Sequence, residues 1–239
     1  LIAGGSIALM ELYRISFQSR PNRALVGLGL AASAAIIARH QLMPAWPEIL
    51  IVSALALISA MLSLSTPIER RLKDTAITAF GVFYVGFTLS TLVSTRSLPA
   101  GELLVFFVVL VTWAADTGAY YAGTLYGKHL LAPSISPKKT VEGAFGGLGF
   151  ATGASLLAHV WILPQLSLLD TTVLAMLLTG SGLLGDLCES AIKRRGGVKD
   201  SGGILPGHGG MLDRLDSLLF TAPTFYYYVT GISGIAPSP

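Results

Sequence analysis

One cysteine, Cys188, is all that 239 residues contain, so no disulfide framework and no cysteine-rich zinc or iron–sulfur site can be built. The four histidines, His40, His129, His159 and His208, lack the short spacings of zinc ligands and offer no zinc site. Charge is scarce as well. Asp, Glu, Lys and Arg make up 12% of the chain, roughly half the share of a soluble domain, which excludes an ordinary cytosolic globule. The pI is near 9.1, but net charge is only +3 and the basic residues fall in short clusters between apolar runs, so no nucleic-acid partner is expected. Internal repeats and low-complexity tracts are missing too. Glu11 and Arg14 follow the first apolar stretch where a small-residue cleavage site would stand, which argues against a signal peptide. The chain opens on Leu1, and the expectation is that it starts inside a longer protein.

What fills the chain is apolar residues, 52% of the total, with a mean hydropathy of +0.67. Crossing about 30 Å of hydrocarbon takes roughly 20 mostly apolar residues as helix. Runs near 1–17, 24–43, 48–65, 75–95, 101–123, 141–163, 171–192 and 211–235 approach or reach that length. They predict an all-α polytopic membrane protein with about eight transmembrane helices, the first of them cut short. The expected division is N-terminal transmembrane helices over 1–100 and a catalytic transmembrane region over 101–239. Basic residues cluster in alternate loops: Arg14, Arg20 and Arg23; Arg70, Arg71 and Lys73; Lys128, Lys138 and Lys139; Lys193, Arg194, Arg195 and Lys199. Only Arg39 and Arg96 fall on the other side. Short cytoplasmic loops are enriched in Lys and Arg, so loops 124–140 and 193–210 are expected in the cytosol.

Acidic residues occur where lipid would disfavour them. Asp116 lies inside one apolar run, Asp186 and Glu189 inside another, and Asp213 and Asp216 open the last. An unpaired acid at the bilayer centre costs about 2.5–3.5 kcal/mol on insertion scales, so the set needs a cation, basic partners or a water-filled cavity. Helical spacing puts Asp186, Glu189, Ser190 and Lys193 on one stripe, Asp213 and Asp216 on a second, and Asp116 with Tyr120 on a third. Carboxylates so placed could hold a hard divalent cation such as Mg²⁺ through oxygen ligands. The plain alternative is a set of helix-end charges in the headgroup zone, favoured for Asp213 by the helix dipole.

The segment from Lys199 to Gly210 is dense in glycine and runs straight into the Asp213 helix. Backbone N–H groups of Gly209 and Gly210 beside a helix N-terminus suit a phosphate cradle, the alternative being a flexible connector. The basic segment from Ser136 to Gly143 brings Lys138, Lys139 and Thr140 to a helix start, where they could touch a triphosphate or serve only as positive-inside markers. Gly143, Gly147, Gly149 and Gly153 read as close helix packing. The stretch Gly123 to Lys128 is one residue short of a P-loop and has His129 in place of the required Ser or Thr, so it carries no Walker chemistry. Cys188 reads as packing and Tyr226, Tyr227 and Tyr228 as an interfacial belt.

Ser190 to Arg194, Lys199-Asp200, and Leu205 to Asp216 together resemble the signature of the phosphatidate cytidylyltransferase (CDP-diacylglycerol synthase) family over 27 residues. Asp116 to Tyr120 with Gly127-Lys128, Ser136 to Gly143, and Gly185 to Leu187 look like the same family; residues 1–100 match only as a set of hydrophobic spans. The resemblance implies a nucleotidyltransferase that converts CTP and phosphatidate to CDP-diacylglycerol and pyrophosphate with Mg²⁺, using two divalent ions or a divalent and a monovalent one. It implies Asp186 and Asp213 as metal ligands, with Asp216 and Asp116 next. Lys193, Arg194, Lys199 and Arg214 would bind phosphates, Lys138 and Lys139 the triphosphate or the lipid head, and Ser190 and His208 would orient them. A bacterial plasma membrane, a cytosol-facing site and a homodimer through the glycines after Gly143 are further expectations. The competing readings are a polyprenol kinase, a synthase acting on ether-linked archaeal lipid, and a cation-coupled transporter, for which no inverted halves are present.

Overall fold

Segments this apolar must satisfy their own backbone polar groups, and a helix does so within one segment. The computed structural model describes residues 1–17, 22–42, 53–54, 56–58, 60–61, 67–203 and 209–235. Its helices include α1 (Ile2–Ser16), α2 (Arg23–Leu42), α3 (Ile68–Gly81), a π-helical turn (Val82–Phe87), α4 (Thr88–Arg96), α5 (Gly101–Tyr126), α6 (Val141–Trp161), α7 (Leu168–Arg195) and α8 (Leu212–Gly231). The protein is all-α, with one hairpin among the described residues, β1 (Leu130–Ala132) with β2 (Ser136–Thr140). Among the described residues, four helices are long and apolar enough to cross a membrane: the continuous run Ile68–Arg96, Gly101–Tyr126, Val141–Trp161 and Leu168–Arg195. The run expected over 48–65 lies largely outside the described residues. Helix Ile68–Arg96 begins before its predicted start at 75 and takes Arg70, Arg71 and Lys73 into its first turns.

The chain forms two compact units, Leu1–Val93 with Ile192–Leu215, and Ser94–Ala191 with Asp216–Pro239. In the first, α1 runs antiparallel to both α2 and the helix Ile68–Arg96. A methyl group on Gly5 would meet Leu89 and Ile37, and one on Gly29 or Gly81 would meet Tyr13. Tyr13 is buried and its hydroxyl donates to Thr78 O at 2.9 Å. The π-helical turn falls where Gly86 lies against Ser33 of α2, a contact with no room for a side chain.

In the second unit α5 and α6 are antiparallel and nearly touch. A Cβ on Gly143 would meet Ala119 O and one on Gly147 would meet Ala115 O, so these two glycines do pack helices closely. Gly149 and Gly153, expected to act alike, have nothing within 4 Å of that position. Phe107, Val111, Leu174, Leu178 and Phe225 form the core of this unit, and polar side chains bridge its helices. Ser155 Oγ donates to Thr171 O at 2.8 Å, and Tyr228 Oη to Asp170 Oδ1 at 2.9 Å. The hairpin, the start of α6, residues 186–191 of α7 and Asp216 of α8 all lie at one end of the unit.

Candidate active site

The C-terminal part of α7 and the start of α8 approach closely, because a side chain on Gly185 would collide with Asp216 O. That approach brings oxygens of Asp186, Glu189 and Asp216 within 4.8 Å of one another, with Glu189 fully buried. Two of the three, Asp186 and Glu189, come from one α7 face, as their spacing predicts. Strand β2 then supplies the opposite charge. Successive side chains of a strand point to opposite faces, and here Lys138 is exposed while Lys139 turns in, its Nζ 2.6 Å from Asp186 Oδ2. Ser190 Oγ is 3.3 Å from Asp186 Oδ1, and Ser217 N donates to Asp216 Oδ1 at 2.6 Å. Asp116, from α5, accepts a hydrogen bond from the Ser217 side chain and lies within reach of the charges of Asp186 and Lys139. Three convergent carboxylates are a hard oxygen donor set, which fits a divalent metal ion.

The hairpin that presents Lys139 is clamped to α6. Glu142 accepts from the backbone N–H groups of Lys128 and His129 at 3.1 and 3.2 Å, and its other oxygen is 2.6 Å from His129 Nδ1. Thr140 caps α6 by accepting from Gly143 N at 3.1 Å, the arrangement expected of a threonine before a helix.

A second group of predicted residues assembles in the unit containing Ile192–Leu215. Lys193 Nζ donates to Asp213 Oδ1 at 2.6 Å, and both side chains are largely buried. The other oxygen of Asp213 accepts from Gly210 N at 2.7 Å, from Ser201 N at 2.9 Å and lies 2.9 Å from Ser201 Oγ. Gly209 adopts a φ of +78° there, a conformation that favours glycine. Lys199, Arg194 and Arg214 are exposed, and Arg194 donates to Val198 O at 3.3 Å. His208 lies outside the described residues.

The cytidylyltransferase family description matches residues 1–232. The chain belongs to the cytidylyltransferase family. A relative from Staphylococcus saprophyticus named phosphatidate cytidylyltransferase is 40% identical over 223 residues, covering 91% of this chain and 83% of its own length. Relatives of the same name from Staphylococcus epidermidis and Staphylococcus aureus are 38% and 37% identical over the same shares. The protein is thus a membrane cytidylyltransferase, and its predicted residues separate into the Asp186 cluster with Lys139, Ser190, Asp216 and Asp116, and the Asp213 cluster with Lys193 and Gly210. Two carboxylates that hold these clusters in place had no role in the sequence reading of this cytidylyltransferase. Glu142, the clamp on the hairpin, is one. The other is Glu11, whose signal was an acid inside an apolar run.

Proposed function

We propose that this cytidylyltransferase transfers the cytidylyl group of CTP to phosphatidate, forming CDP-diacylglycerol and releasing pyrophosphate. The observation that carries the reading is the convergence of Asp186, Glu189 and Asp216 beside Lys139 in a chain of this family; the names of the staphylococcal relatives support the lipid acceptor. A phosphate oxygen of phosphatidate attacks the α-phosphorus of CTP, the bond to the bridging oxygen breaks, and its electron pair leaves with pyrophosphate. The attacking phosphate is already anionic near neutral pH, so no strong general base is needed. Positioning and charge neutralisation carry the step.

Asp186, Glu189 and Asp216 would hold Mg²⁺, with Asp116 alongside. Bound there, the ion supplies positive charge to phosphate oxygens. Lys139 is positioned to offset the charge of a triphosphate once a cation takes over Asp186. The Lys193–Asp213 pair fixes the start of α8, and the exposed Lys199, Arg194 and Arg214 meet incoming phosphates. Phosphatidate is anchored in a leaflet while CTP is soluble, which fits a site at the cytosolic face of a bacterial plasma membrane.

The test is transfer of label from CTP into a chloroform-soluble product by purified protein supplied with phosphatidate and Mg²⁺. Labelled CDP-diacylglycerol that disappears with EDTA, and in Asp186→Asn and Asp213→Asn proteins that remain folded in detergent, is the expected result. No labelled lipid from well-folded protein would sink the reading.

A further inference from the structure

The carboxylate of Glu11 is 3% exposed and belongs to α1, far from every motif in the chain. Its partners lie 190 to 201 residues away. Glu11 Oε1 accepts from Met211 N at 3.1 Å, and Oε2 accepts from Leu212 N at 2.9 Å and from Ser201 Oγ at 2.8 Å. Two N–H groups at the head of α8, directly after the Gly209-Gly210 pair that the sequence offers as a phosphate cradle, are therefore held by a carboxylate of the protein itself. Gly210 N is held by Asp213 in the same way.

The fit around this carboxylate is close. A Cβ on Gly202 would collide with Glu11 Oε1, and one on Gly210 would collide with both Glu11 oxygens and with Ser201 Oγ. A side chain at either position would push the Glu11 carboxylate from where it sits. Ser201 is the link onward: its hydroxyl stands 2.8 Å from Glu11 Oε2 and 2.9 Å from Asp213 Oδ2, and its N–H binds the same Asp213 oxygen. A hydroxyl has one proton and two lone pairs, so moving Glu11 changes what Ser201 offers to Asp213, and through Asp213 the placement of Lys193.

We propose that Glu11 is a positioning residue for cytidylyl transfer: from α1 it locks the head of α8 and, through Ser201, sets the Lys193–Asp213 pair. This rests on the reading that Lys193 and Asp213 serve the reaction. Glu11 touches neither substrate in this account and acts only through Ser201 and the backbone of residues 211 and 212.

The experiment compares Glu11→Gln, Glu11→Asp, Ser201→Ala, the Glu11→Gln/Ser201→Ala double variant and Asp213→Asn in the full chain. It reads kcat and KM for CTP and phosphatidate, thermal melting in detergent, and the rate of trypsin cleavage after Lys199. A lost hydrogen bond to a charged group predicts that Glu11→Gln lowers kcat by roughly ten- to a hundredfold, with both KM values within about twofold. Glu11→Asp should recover part of that loss, and cleavage after Lys199 should accelerate in Glu11→Gln. Ser201→Ala should lower kcat in the same direction, and the double variant should be no worse than the poorer single one, because the two act on one path. Wild-type kcat in both single variants overturns the proposal. So does a loss matched by an equal loss of thermal stability, with no recovery in Glu11→Asp and unchanged cleavage, which would make Glu11 a folding residue only. Asp213→Asn separates the two claims. If it turns over normally, the reading of the Lys193–Asp213 pair falls and takes this inference with it; if it is inactive while Glu11→Gln is normal, the inference alone falls.

Discussion

Lys138 and Lys139 are neighbours in the chain, and strand alternation gives them different surroundings. Lys139 is drawn against Asp186 while Lys138 stays in solvent. Lys139→Ala is expected to lower kcat/KM for CTP by roughly ten- to a hundredfold, and Lys138→Ala by less than about threefold; steady-state assays in mixed micelles check both. Lys139 also competes with any cation for Asp186, so the same Lys139→Ala protein should bind Mn²⁺ more tightly than wild type even as its turnover falls, which a direct titration would show. The residue types of this site were readable in advance, since acids in apolar runs and lysines beside a threonine cap are local signals. Which lysine faces inward was not, because that depends on the phase of a strand that the sequence does not announce. The partners of Glu11 were out of reach for another reason: they are 190 or more residues distant, and no local spacing connects them to it.

At the scale of elements, the long helices were legible. The run expected over 101–123 is Gly101–Tyr126, that over 141–163 is Val141–Trp161, and that over 171–192 is Leu168–Arg195. Each is a largely apolar stretch whose length the bilayer dictates, and the third runs on through Lys193, Arg194 and Arg195 past its apolar edge. The hairpin within 124–140 was read as loop. Its strands are three and five residues long, one contains Pro137, and neither alternates apolar with polar residues, so periodicity has too little to act on. What holds the hairpin is tertiary: backbone N–H groups at its start docked on Glu142. Glu142→Ala should therefore loosen the hairpin and spare the helices. Hydrogen exchange of amides in 128–140 is expected to speed up by about tenfold or more while those of α6 beyond its first turn stay protected; an unchanged hairpin would show that strand pairing suffices.

For the whole molecule, the alternation of basic loops predicts which side each connection faces, and this is open to direct test. In a Cys188→Ser background, Lys199→Cys should react with an impermeant maleimide only in inside-out vesicles, and Pro99→Cys only from the outside of intact cells. The reverse pattern would invert the topology and place the proposed site away from cytosolic CTP. The clasp on Glu11 also sets an order of assembly. A ribosome delivers Glu11 long before Ser201, Met211 and Leu212 exist, so the carboxylate of α1 is made well ahead of these three partners. A buried acid without partners is unstable in apolar surroundings. The contact opened by α1 therefore closes only with the arrival of α8, and a chain cut short before Met211 lacks it.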